Sequence, residues 1–172
     1  RSGQEHIPTD GPVLIACNHV AFIDPLLVAM AAHPRRSWMM AKEELFRSRA
    51  LAAWMRGSGT FPVRRATPDV WAVRMARDLL SRGECLLMFP EGGVSRSGYM
   101  RPGFSGAGYL ALQPQVTVVP AAIWKTQHLR GPARVRFGPP IPMDDLRDSP
   151  RPGRNRRATQ RIMETLAGMV PL

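Results

Sequence analysis

A histidine and an aspartate stand five positions apart in the stretch Asn18-His19-Val20-Ala21-Phe22-Ile23-Asp24. An imidazole oriented by a carboxylate is a general base. The carboxylate fixes the tautomer and stabilises the imidazolium, and an exposed ring nitrogen takes a proton from a hydroxyl. On one continuous helix a five-residue step would turn the two side chains apart, whereas on a loop the carboxylate can fold back onto the ring. The plainer alternative is that Asp24 only caps a helix and His19 is one polar loop residue.

The elements around the pair favour the loop. The apolar run Val13-Leu14-Ile15-Ala16-Cys17 follows Gly11-Pro12 and predicts a short buried strand that delivers His19 to its C-terminal end. Asp24-Pro25 opens a second apolar run and predicts a helix over 25–33, with Asp as N-cap and Pro at the first helical position. Further strands are predicted over 38–41, 60–63, 85–89, 116–123 and 134–137. Helices are predicted over 43–56, 68–81, 104–112 and 155–170. The alternation is that of an α/β layer fold. Pro120, inside 116–123, suggests an edge, a bulge or a strand end. The charged, proline-bearing segment 144–157 reads as a surface loop. At 172 residues, the whole of 1–172 is expected to be a single domain with a real core. The chain begins at Arg1 rather than Met, so a further N-terminal segment is expected.

The formal net charge is +11, and the 24 basic side chains are arginines apart from Lys42 and Lys125. Such a surface attracts anionic membranes, phosphorylated small molecules or nucleic acid. Cys17 and Cys85 each fall in an apolar run and read as buried free thiols. Neither a disulfide framework nor metal-ligand spacing is visible, and no apolar run approaches the ~18–20 residues of a membrane helix.

Four short blocks carry a resemblance. They are Asn18-His19 with Asp24; Gly59-Thr60-Phe61-Pro62-Val63-Arg64-Arg65; Phe89-Pro90-Glu91-Gly92-Gly93-Val94-Ser95-Arg96-Ser97-Gly98; and Val118-Val119-Pro120-Ala121-Ala122-Ile123. In this order they resemble the N-H-x4-D, arginine, F-P-E-G-T-R-S and V-P-V-A-I blocks of the glycerolipid acyltransferase family. The resemblance runs from about Gly3 to Gly138. It implies a mixed, mostly parallel central sheet flanked by helices. It also implies direct acyl transfer from a thioester to the free hydroxyl of 1-acyl-sn-glycerol-3-phosphate, with His19 as general base and Asp24 orienting it. Asn18, Arg65, Glu91, Gly92, Ser95, Arg96 and Arg101 would contact substrate, and no metal or cofactor is implied. The co-substrate would be acyl-CoA or acyl carrier protein. The other partners would be a lysophospholipid and an anionic membrane surface, and the place the cytoplasmic face of the cell membrane, reached peripherally or through the absent segment. One departure stands out: the family's Thr-Arg after Glu-Gly is Gly93-Val94 here, so an arginine that would hold a phosphate is missing. Either acceptor choice differs, or Arg64, Arg65, Arg96 or Arg101 substitutes.

Competing readings remain open on the sequence. The same chemistry on glycerol-3-phosphate, another lysophospholipid or a lipid alcohol or amine is one. A nucleic-acid-binding module using Arg147, Arg151, Arg154, Arg156, Arg157 and Arg161 is disfavoured by the lack of zinc-finger or aromatic RNA-binding signatures. A thiol hydrolase pairing Cys17 with His19 is another, no G-x-S-x-G elbow being present. A folded but inactive piece of a longer protein is the last. Trp38, Met39, Met40, Trp54 and Met55 read as core or as an acyl channel, and segment 43–56 as a core helix or an interfacial one.

Overall fold

The computed structural model describes residues 1–64, 69–95, 99–126 and 132–171. Among them six strands form one sheet: β1 (Val13–Cys17), β2 (Ser37–Lys42), β3 (Thr60–Val63), β4 (Cys85–Met88), β5 (Thr117–Trp124) and β6 (Arg134–Phe137). Their spatial order is β3-β2-β4-β1-β5-β6. All neighbours run parallel except β6, which is antiparallel to β5. The helices are α1 (Asp24–Ala31), α2 (Arg49–Gly57), α3 (Val70–Ser81), α4 (Ser105–Ala111), α5 (Asp144–Arg147) and α6 (Arg154–Met169). The expected mixed, mostly parallel sheet flanked by helices is therefore what the chain forms.

Every residue of β1 is buried, as a strand covered on both faces must be. Its side chains alternate between two cores. Leu14 and Ala16 pack with Leu79 of α3, Leu110 of α4 and Ile162 of α6. Val13, Ile15 and Cys17 pack with Val28 and Ala31 of α1 and with Val135 and Phe137 of β6. The connection leaving β1 thus crosses one face through α1, while that leaving β4 crosses the other through α4. The adjacent strands β1 and β4 form the switch point of the sheet, where a parallel α/β layer opens its ligand crevice at the carboxyl ends.

Four expectations are corrected. The helix expected over 43–56 is a 3₁₀ turn, Glu43–Phe46, followed by α2. Ser48 restarts the helix as N-cap, accepting from the Leu51 N–H at 3.5 Å. Asp24 is not a cap: Ile23 holds that position, and the carboxylate is turned back toward the preceding loop. The segment 144–157 is not simply a surface loop. It contains α5, whose Leu146 is buried, and the first turn of α6, while the Arg147 guanidinium donates to the carbonyls of Ala111 and Val116. Pro120 lies in an inner strand. Its carbonyl accepts from Gly138 N–H at 2.8 Å, so its missing N–H would point to the β6 side, where pairing ends at Ala121–Phe137. The expected helix start at Pro68 lies outside the described residues; α3 is capped by Asp69, which accepts from Ala72 N–H at 3.0 Å.

Candidate active site

Where β1 leaves the sheet, the Asn18 side chain continues its ladder. Its amide nitrogen donates to the Ile123 carbonyl at 2.9 Å, and its oxygen accepts from the Ile123 N–H at 2.8 Å. With both ends occupied and 1% exposure, Asn18, expected to contact substrate, clamps β1 to β5.

The clamp sets His19 just beyond the carboxyl end of β1, where it is 5% exposed. Its ring stacks on Phe89 with centroids 4.2 Å apart, and Nδ1 lies 3.1 Å from Oδ2 of Asp24. Asp24 is fully buried, and a buried carboxylate must be saturated with donors. Oδ2 also accepts the Val20 and Ala21 N–H groups, each at 2.7 Å, and Oδ1 accepts the Thr126 hydroxyl at 2.7 Å. A carboxylate that is only an acceptor assigns the proton to Nδ1 and the lone pair to Nε2. No partner for Nε2 is found among the described residues. The loop geometry that the five-residue spacing required is therefore present.

The third block braces the same loop. Glu91, 2% exposed, accepts the His19 N–H on Oε1 and the Arg101 N–H on Oε2, each at 2.9 Å. Ser95 donates its N–H to the His19 carbonyl at 2.7 Å and its hydroxyl to the Tyr99 carbonyl. Glu91 and Ser95, expected as substrate contacts, are buried here and bind main-chain groups of His19, Tyr99 and Arg101. Gly92 has φ +69°, which strains any side chain, and an added Cβ would lie 2.4 Å from the Phe104 ring, which would have to move. Arg101 is exposed and rests on the Gly93 carbonyl, on the loop that carries Val94. Arg64 is exposed and 3.4 Å from Glu43. Arg65 and Arg96 lie outside the described residues.

Thr126 was not among the expected site residues. It comes two positions after β5, at the same sheet edge as His19, and that position was its one signal in the sequence.

Cys17 is fully buried, and burial first, then the charges of Asp24 and Glu91, pushes its thiol well above the ordinary range. It is no thiolate nucleophile for His19. Four of the six arginines of the tail patch serve the fold. Arg161 pairs both nitrogens with Asp145 at 2.7 Å, Arg147 holds Asp144, Arg154 donates to the Arg147 carbonyl, and Arg157 donates to Ser149. Among the described residues no group of three or more His, Cys, Asp or Glu is placed to hold a metal, and no helix is long and apolar enough to cross a membrane.

The carboxylate-held imidazole thus lies at the switch point of an α/β layer. The acyltransferase family model matches residues 1–124, and the chain belongs to that family. It is 34% identical over 157 residues to human 1-acyl-sn-glycerol-3-phosphate acyltransferase alpha, covering 84% of this chain and 55% of the relative. It is 28% identical over 152 residues to the 1-acyl-sn-glycerol-3-phosphate acyltransferase of Bacillus subtilis (strain 168), covering 86% and 75%. The chain spans about half the length of the mammalian relatives it matches. The crystal structure of the 1-acyl-sn-glycerophosphate (LPA) acyltransferase PlsC from Thermotoga maritima has the same fold, with a TM-score of 0.73 at 23% identity over 97% of this chain and 70% of that one.

Proposed function

We propose that this chain moves a fatty acyl group from an acyl thioester to the free hydroxyl of 1-acyl-sn-glycerol-3-phosphate, giving phosphatidate and a free thiol. The observation that supports this most is the His19–Asp24 pair, held at 3.1 Å at the sheet's switch point. Nε2 of His19 takes the hydroxyl proton as that oxygen attacks the thioester carbonyl. The tetrahedral intermediate collapses with cleavage of the C–S bond, and the imidazolium returns its proton to the departing sulfur. Asp24 keeps the ring in one tautomer and offsets the charge that forms on it. General-base help of this kind contributes about 10²–10⁴ in rate, and holding both substrates together contributes further. No acyl-enzyme is needed, in keeping with the burial of Cys17. The donor is acyl-CoA or acyl carrier protein, no cofactor takes part, and the reaction runs at the cytoplasmic face of the cell membrane. Arg101, with Arg65 and Arg96, binds the acceptor phosphate.

Val94, in place of the family arginine, favours a second reading in which the acceptor is glycerol-3-phosphate, another lysophospholipid, or a lipid alcohol or amine. One assay separates the two: free CoA release from oleoyl-CoA with lysophosphatidate, glycerol-3-phosphate, lysophosphatidylcholine or no acceptor, with His19→Ala as control. Release that requires lysophosphatidate and His19 is the expected result. Release with another acceptor selects the second reading. Turnover retained by a His19→Ala protein with an unchanged thermal melt overturns the general-base assignment.

A further inference from the structure

We infer that the layer formed by α1 and α2 is the face on which the protein rests against an anionic lipid bilayer. The inference builds on the acyl-transfer reading, in which the acceptor is a membrane lipid. The two helices lie on one side of the sheet. The steps β1→β2 and β2→β3 move in the same direction across the strand order, so right-handed crossovers put both connections on one face. The packing of α1 residues Val28 and Ala31 into the Ile15–Cys17 core identifies that face.

This layer leaves large apolar side chains in water. Phe22, Leu26 and Met30, at successive four-residue steps, are 76%, 38% and 62% exposed, and Ile23 beside them is 44% exposed. On α2, Leu51 and Trp54 are 40% and 61% exposed. A helix apolar on both sides belongs in a core or against lipid, and α1 has a core on one side alone. The charges select the lipid. The one acidic residue of α1 is the buried Asp24, and α2 has none. Arg47, Arg49 and Arg56 are exposed around Leu51 and Trp54 and outnumber the exposed Glu43, which Arg64 partners, and Glu44 of the preceding turn. Tryptophan and arginine together on a short amphipathic helix suit the headgroup region of an anionic leaflet. The placement also suits the chemistry: Phe22 and Ile23 sit on the loop between His19 and Asp24, so the apolar surface borders the pair.

Sedimentation with vesicles of equal phosphatidylglycerol and phosphatidylcholine, against pure phosphatidylcholine, tests this. Turnover is measured alongside with vesicle-borne lysophosphatidate and with a short-chain lysophosphatidate below its micelle concentration. The variant is Trp54→Glu/Met30→Glu, two positions outside the site, with its thermal melt as a check on folding. Wild type should bind the anionic vesicles about tenfold more tightly than the neutral ones and release in high salt. The variant should lose at least about tenfold in binding and in turnover of the vesicle-borne acceptor, while keeping turnover of the soluble one. A folded variant that binds as wild type does, or wild-type binding indifferent to anionic lipid, overturns the inference. So does a wild-type dimer that the variant splits, which would make this face a contact between copies. Sedimentation reads the docking and soluble turnover reads the chemistry, so failure of one is told apart from failure of the other.

Discussion

Replacing Glu91 by Gln separates bracing of the site from binding of the acceptor. The carboxylate accepts two main-chain N–H groups, one from His19 and one from Arg101, each at 2.9 Å. A carboxamide has one oxygen, so its NH₂ group must confront one of those N–H groups, donor against donor. A buried N–H left without an acceptor costs about 1–3 kcal/mol. In a domain of this size each kcal/mol shifts the melting temperature by about 2–4 °C, so a fall of roughly 2–12 °C is expected. Because one of the two N–H groups belongs to His19, kcat should fall with the melt while KM for the acceptor stays near wild type. Circular-dichroism melts and acceptor titrations at saturating acyl donor read both quantities. If Glu91 instead held an acceptor hydroxyl, Gln would keep an oxygen for it and the fold would lose nothing. An unchanged melt with a raised acceptor KM would therefore refute the bracing role.

Thr126→Val removes the hydroxyl that reaches Oδ1 of Asp24, and should lower kcat about tenfold with KM unchanged, with Thr126→Ser restoring the rate; a Val variant at full kcat contradicts the role. Gly92→Ala puts a methyl group at φ +69° and against Phe104, and should cost about 1–3 kcal/mol in denaturant unfolding, part of it recovered by adding Phe104→Ala; no change would mean the turn relaxes freely. Cys17 should resist iodoacetamide in the folded protein at mildly alkaline pH and react once the chain is denatured, and fast labelling of the native protein would disprove its burial. The sign for stability follows from the raised thiol: the unfolded chain releases that proton first, so stability present at neutral pH should decline as the pH climbs past the ordinary thiol range.

The strands were legible because each is a short apolar run with clear punctuation, and β1, β3 and β6 fall on their predicted residues. Segment 43–56 misled because its apolar spacing continues through Ser48, while the hydroxyl there restarts the helix. Periodicity reports which face is buried, not whether the chain stays in one helix. His19 and Asp24 were legible because their partnership is local. The roles of Asn18 and Glu91 were not, since what they bind lies 105 and 72 positions away and is main chain, which leaves no mark on the partner's identity. Thr126 belongs to no block and its partner Asp24 lies 102 positions away, so its place two residues after β5 was its one signal.

These long-range contacts bear on which residues are left to choose the acceptor. Asn18 holds β5, Glu91 and Ser95 hold the main chain of His19, and Asp24 is saturated by two N–H groups, a hydroxyl and the imidazole. Polar groups so committed fix the base in place and have little left for a headgroup. On the acyl-transfer reading, discrimination between acceptors then falls to side chains of the same loops that still face the crevice. In the segment 91–101, Arg101 is exposed and Val94 half-buried. The Arg101 guanidinium rests on the Gly93 carbonyl, whereas valine in the neighbouring position offers an apolar surface and no charge. The family arginine and this valine thus differ in what the loop can recognise while the His19–Asp24 pair beside it remains the same.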